Sequence, residues 1–81
     1  MINLSTVTKL SQKDVVKKAV EFWGPGGYGL EIKEQADTYA LFEGGGGGVE
    51  IVTNATDGKT EVDIASREWD YQAQEFLSKI K

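Results

Sequence analysis

Four short stretches in which apolar and polar residues alternate, all between Tyr28 and Ser66, constrain this chain more than any other feature. Alternation with a period of two marks a strand with one buried face. Tyr28, Leu30 and Ile32 alternate with Gly29, Glu31 and Lys33 in the first stretch. Residues 38–43 make the second, 49–53 the third and 60–66 the fourth. Only Gln35-Ala36-Asp37, a run of five glycines at 44–48 and the cluster 54–59 separate them. Parallel neighbours need a crossover of a dozen or more residues, so connections this short dictate an antiparallel meander. Asp57-Gly58 is the strongest turn signal among them.

An amphipathic helix is predicted on each side of the meander. In the first, Ser11 can cap the helix, with Asp14 three residues on and Leu10 and Val15 placed to form a staple. Val15, Ala19, Phe22 and Trp23 recur at helical spacing, while Gly24 and Pro25 end the segment. A helix over 12–23 follows. In the second, Trp69, Ala73, Phe76, Leu77 and Ile80 fall within a narrow arc at 100° per residue. Ser66 or Asp70 can cap it, and Lys79 and Lys81 suit the negative end of its dipole. The expected fold is α+β: a two-layer sandwich in the order α-β-β-β-β-α, with a four-stranded antiparallel meander and both helices on one face. Residues 1–81 form a single domain, in which 1–10 have no clear period and read as an edge strand or an N-terminal arm.

The chain has no Cys and no His. Most nucleophilic, general-base and transition-metal chemistry depends on those side chains, and no Ser or Lys has an evident activating neighbour. The expectation is a protein that is not an enzyme, with no catalytic residues, no cofactor and no metal site. No apolar run approaches the roughly 20 residues needed to span a bilayer. The first residues carry neither a basic start nor an apolar block, and the absence of cysteine fits a reducing compartment, so a cytoplasmic protein is expected. The net charge of −4 argues against nucleic acid. It is unevenly spread: residues 1–18 carry four lysines against Asp14, and the remaining residues carry five basic and twelve acidic side chains.

Two glycine motifs invite a ligand. Gly24-Pro25-Gly26-Gly27-Tyr28-Gly29 matches G-x-G-x-x-G. A dinucleotide fingerprint must follow a strand and open a helix, whereas this one follows a helix and opens a strand, so it reads as a turn. Glycines 44–48 lack the Lys and Ser or Thr of a phosphate loop and run into Val49-Glu50-Ile51. They read as a hairpin, or as strand ends that a neighbour approaches closely, with Gly45, Gly46 and Gly47 as candidate anion contacts through their amides. Five glycines in a row also predict the most mobile backbone of the domain.

The acids Glu31, Glu50, Glu61 and Asp63 are expected on the sheet face away from the helices, as a solvated surface. The central strands are nevertheless apolar on both sides. Tyr39 and Leu41 alternate with Ala40 and Phe42, and Val52 opposes Val49 and Ile51. A sheet wet on one side should alternate cleanly, so Phe42 is expected to point away from the helices under an N-terminal arm or another subunit. Tyr71 falls on the polar side of the second helix, as a loop contact or an exposed contact surface. These features favour a protein-interaction module, with an unidentified protein partner or self-association as a homodimer. A long helix across an antiparallel sheet can also enclose a cavity, walled here by Trp23 and Trp69. The alternative is therefore a small-molecule or anion-binding domain using that cavity or the glycine segment.

Overall fold

The computed structural model describes residues 2–80. Five antiparallel strands and two helices follow one another as β1 (Ile2–Thr8), α1 (Gln12–Trp23), β2 (Glu31–Gln35), β3 (Tyr39–Gly44), β4 (Gly47–Thr56), β5 (Lys59–Arg67) and α2 (Asp70–Ile80). The α+β class and the antiparallel meander of the last four strands are as expected. The strand count is not. The segment at the N-terminus is a fifth strand, β1, and it pairs with β5 to give the sheet order β1-β5-β4-β3-β2. The element order therefore opens on a strand rather than a helix. β1 and β2 lie at opposite edges and run in the same direction, so the long connection through α1 crosses the whole sheet. The pattern of β1 was faint because an edge strand buries only part of one face. Ile2, Leu4 and Thr6 are half-buried and only Thr8 is fully covered.

One face of the sheet carries the core. Its cross-strand rows read Ile32–Phe42–Val49–Ser66–Ile2, then Gln35–Ala40–Ile51–Ile64–Leu4, then Thr53–Val62–Thr6. Val15, Val16, Ala19 and Trp23 of α1 and Ala73, Phe76, Leu77 and Ile80 of α2 pack in the same cluster as these rows. Trp23 meets Phe42 at a ring separation of 6.0 Å and Phe76 at 4.9 Å. Phe42 is thus in the core on the helix side, contrary to expectation. The strand pairing explains why: Ala40 opposes the buried Ile51 and Phe42 opposes the buried Val49, so the bulky outward pair is Tyr39 and Leu41.

Polar rivets close the far end of this face. Thr8 Oγ1 donates to the carbonyl of Ile80, and Thr60 Oγ1 donates to the carbonyl of Leu10 at 2.6 Å. Gln12 Nε2 donates to Thr53 O and Oγ1, both at 3.0 Å. The first helix begins as its sequence dictates, with Ser11 Oγ accepting from the Asp14 amide at 3.1 Å and Gly24 following its last residue.

Several boundaries differ from the sequence reading: β4 is longer than the expected 49–53 at both ends, taking in two of the glycines and Asn54-Ala55-Thr56, and β5 gains one residue at each end. Tyr28 and Leu30 precede β2, because the amides of Tyr28, Gly29 and Leu30 are tied back to the carbonyls of Phe22, Gly24 and Trp23. Ser66 does not cap α2, since it is paired with both Val49 and Ile2 inside the sheet. Asp70 does not precede α2 as a cap but is its first residue. Lys81, expected beside the end of that helix, lies outside the described residues, as does Met1. No helix is long and apolar enough to cross a membrane among the described residues.

Candidate functional site

Among the described residues, no helix lies over the other face of the sheet. Its rows read Glu31–Glu43–Gly48–Arg67, then Glu34–Leu41–Glu50–Ala65–Asn3, then Tyr39–Val52–Asp63–Ser5, then Asn54–Glu61–Val7. Glu31, Glu50, Glu61 and Asp63 are all on it, where the alternation placed them. Tyr39 and Leu41 are half-buried, Val52 is 39% exposed and Val7 50% exposed. The N-terminal segment expected to cover this surface is part of the sheet, so among the described residues nothing lies above these apolar side chains.

The middle of the face is hollow. Gly48 and Ala65 are small where their neighbours are large. A depression of about 190 Å³ between Leu41, Gly48, Glu50, Ala65 and Arg67 adjoins one of about 350 Å³ between Ser5, Glu50, Val52, Asp63 and Ala65. Gly48 has a steric reason. A Cβ there would lie 3.0 Å from both Arg67 Nη2 and the Phe42 carbonyl oxygen, so the bare backbone leaves room for the guanidinium and for the neighbouring strand.

Carboxylates surround the hollow, and two of them are placed against one another. Glu31 sits directly opposite Glu43, a like-charge pairing that weakens a sheet. Lys33 relieves part of this through a contact of 3.6 Å to Glu31. Sequence reading missed Glu34 and Glu43 as members of the face. The bulge between Ile32 and Glu34 resets the alternation of β2, and no local sequence signal announces it.

The glycine run forms a different feature. Gly44 pairs with Gly47, and Gly45 and Gly46 make a two-residue turn with φ of 61° and 83°. Two consecutive positive φ values are what the tight hairpin turn requires. Trp69 packs on this turn and donates its indole N–H to the Gly44 carbonyl at 2.9 Å. Glu43, Gly46, Gly47, Glu31 and Arg67 outline a polar dip of about 330 Å³ beside it, in which two carboxylates oppose an anion. Gly47 and Gly48 are buried between strands and Gly46 is exposed. Amide hydrogen exchange should therefore be fast at Gly46 and slow at Gly47 and Gly48, within one glycine run. Uniformly fast exchange across the run would mean that the hairpin is not held as described.

Trp69 also links the hairpin to an aromatic strip. Its ring lies 5.4 Å from Tyr28, which lies 5.3 Å from Phe22. The Tyr28 hydroxyl donates to Glu75 at 3.3 Å. Desolvation, then the Glu75 carboxylate, pushes the Tyr28 phenol above its ordinary value. Tyr71 is 73% exposed on α2, the more open of its two expected states. The candidate residues are thus not brought together: Phe42 is in the core, Gly45, Gly46 and Gly47 are at one hairpin, and Tyr71 is on a helix.

Between the helices and the sheet, Trp23, Phe42 and Phe76 pack against one another in the space that a ligand cavity would need. The helix side has open grooves. One of about 270 Å³ lies between the helices at Lys18, Glu21, Phe22, Phe76 and Lys79. Another of about 380 Å³ lies between α1 and the β2–β3 turn. No group of three or more acids is arranged to hold a metal ion among the described residues. No protein-family model, curated relative or solved structure matches the chain, so its function is argued from this geometry alone.

Proposed function

We propose that the domain is a non-catalytic protein-interaction module whose open sheet face docks a basic surface of a partner protein. The observation that carries this reading is the apolar centre of that face, Tyr39, Leu41 and Val52, uncovered and ringed by Glu31, Glu34, Glu43, Glu50, Glu61 and Asp63. A desolvated apolar centre with a charged rim is the anatomy of a protein interface. The rim gives specificity and speeds encounter with a partner of opposite charge. It also repels a phosphate backbone, so nucleic acid is not the partner. The like-charge pairing of Glu31 with Glu43 supports the same view, since a local rule broken at the cost of stability is expected at functional surfaces.

A short lysine- and leucine-rich peptide is a suitable probe, titrated into isotopically labelled protein. Amide shifts should concentrate on Leu41, Glu50, Val52 and Ala65, and binding should weaken as salt is raised. Val52→Lys should weaken binding by roughly tenfold or more, by placing a like charge in the apolar centre. Asp14→Asn on α1 should leave it unchanged. Shifts confined to the helix side, or equal binding by Val52→Lys, would refute the assignment of this face.

A further inference from the structure

The two edges of the sheet are treated differently. β2 is short, bulged between Ile32 and Glu34, and carries Glu31, Lys33 and Glu34. Charge and bulge are the devices by which an edge is kept from pairing with another chain. β1 has neither. Its seven residues, Ile2–Thr8, contain no charge and no proline, and they pair with β5 in unbroken register from Ile2↔Ser66 to Thr8↔Thr60. Its other side has no strand beside it among the described residues. Half of its backbone N–H and C=O groups therefore point outward without a ladder partner.

We propose that β1 pairs antiparallel, about a two-fold axis, with β1 of a second copy of this chain. The occupant is identified by self-complementarity. Full overlap of Ile2–Thr8 with itself centres on Ser5, and sets Leu4 opposite Thr6, Asn3 opposite Val7 and Ile2 opposite Thr8. Every pair joins residues of the same face, and no charge meets a like charge. On the helix side, Ile2, Leu4 and Thr6 are half-buried in one copy, and the same three residues of the other complete their cover. The nearest sheet carboxylates, Glu61 and Asp63, are one strand further in. Across the axis they are separated by about 14 Å, three strand spacings, which exceeds the screening length at physiological salt. The guarded β2 edge stops the sheet from growing, so pairing closes as a dimer rather than extending as a fibre. The proposal uses the edge and not the open face, so it stands or falls apart from the partner-binding reading.

Light scattering after size exclusion tests it, from micromolar to millimolar protein. The mass should rise from the 8.9 kDa of one chain toward twice that value. Ser5 is exposed and opposite Asp63, so Ser5→Lys should fold without loss and Ser5→Glu should fold with a small loss of stability, as circular dichroism would verify. Each should raise the dissociation constant by roughly tenfold or more, because like charges meet at the axis. Mixing the two variants should restore the dimer. Asn3→Lys provides a second disruption should Ser5→Lys fold poorly. Val52→Lys should leave the mass unchanged while weakening peptide binding, which separates the two interfaces. Hydrogen exchange adds a local readout. Consecutive amides of β1 are protected in the dimer, and only alternate ones in Ser5→Lys. A chain that stays monomeric to millimolar concentration, a dimer that Ser5→Lys leaves intact, or alternate protection in the wild-type dimer would overturn the proposal.

Discussion

Replacing Gly47 with alanine should lower the unfolding free energy by about 3 kcal/mol or more, the largest effect expected at any of the five consecutive glycines. A Cβ on Gly47 would lie 2.0 Å from the Arg67 carbonyl oxygen and 2.8 Å from the Glu68 Cβ. Both obstacles resist displacement. Arg67 is paired with Gly48 in the β4–β5 ladder, and Glu68 holds a left-handed conformation with φ of 67° between β5 and α2. Relief requires opening the end of the ladder, with the loss of hydrogen bonds worth about 1 kcal/mol each on top of the steric cost. Gly46 provides the control. Nothing lies near its Cβ position, and asparagine tolerates a positive φ, so Gly46→Asn should cost about 1 kcal/mol or less. Gly45→Asn falls between them, because its Cβ would meet Trp69 at 2.8 Å and disturb the indole bond to Gly44. Urea denaturation of the three variants ranks them directly. A Gly46 variant as damaging as the Gly47 one would refute the hairpin geometry, and equal, small costs would make the run a loose loop.

That series bears on function. A glycine run invites the thought of a ligand, but here each of Gly45, Gly46 and Gly47 has a local reason in the turn, the indole or the neighbouring strand. The open face has no such structural reason. Val52 faces solvent in the centre of a sheet where a polar residue would serve solubility better, and Glu31 is set against Glu43. Surfaces that break local rules without structural compensation are the ones to test for partners.

Alternation made the last three strands legible from the residues, and helical spacing with a clean cap and stop made α1 legible to the residue. What alternation could not supply was β1. An edge strand half-covered on one side looks like any polar segment, and its partner lies far along the chain, at residues 60–66. The same long-range pairing hid the assignment of faces. Once Ala40 is known to oppose Ile51, Phe42 must face Trp23, but residues 39–42 are apolar on both sides and leave that choice open. Glu34 entered the acidic rim through a bulge, and Gly48 and Ala65 shaped its hollow by being small. Neither effect has a local pattern. The acids themselves, in contrast, were assigned to the outer face correctly, because they alternate with residues too apolar to be outside.

Trp23→Ala should unfold the domain or bring it close to unfolding. Truncating a buried tryptophan typically costs 3–5 kcal/mol, and a chain of this length has a total stability of only about 4–12 kcal/mol. Trp23 is fully buried and is the side chain on which both helices and the sheet converge. Its ring touches Phe22 at 4.8 Å, Phe76 at 4.9 Å and Phe42 at 6.0 Å. Three of its neighbours are rigid aromatic rings, which cannot collapse into the void as a flexible side chain could. Trp23→Phe should behave differently. Among the described residues the buried indole N–H has no hydrogen-bond partner, and leaving a donor unpaired in the interior costs about 1–3 kcal/mol. Phenylalanine removes that donor along with part of the ring, so the relief offsets the smaller cavity and the net cost should be about 1 kcal/mol. Thermal and urea unfolding of both variants, followed by circular dichroism, measures the difference. If Trp23→Phe proved as damaging as Trp23→Ala, the indole N–H would have to be engaged in the folded protein. The aromatic cluster would then owe its stability to a polar contact rather than to packing alone.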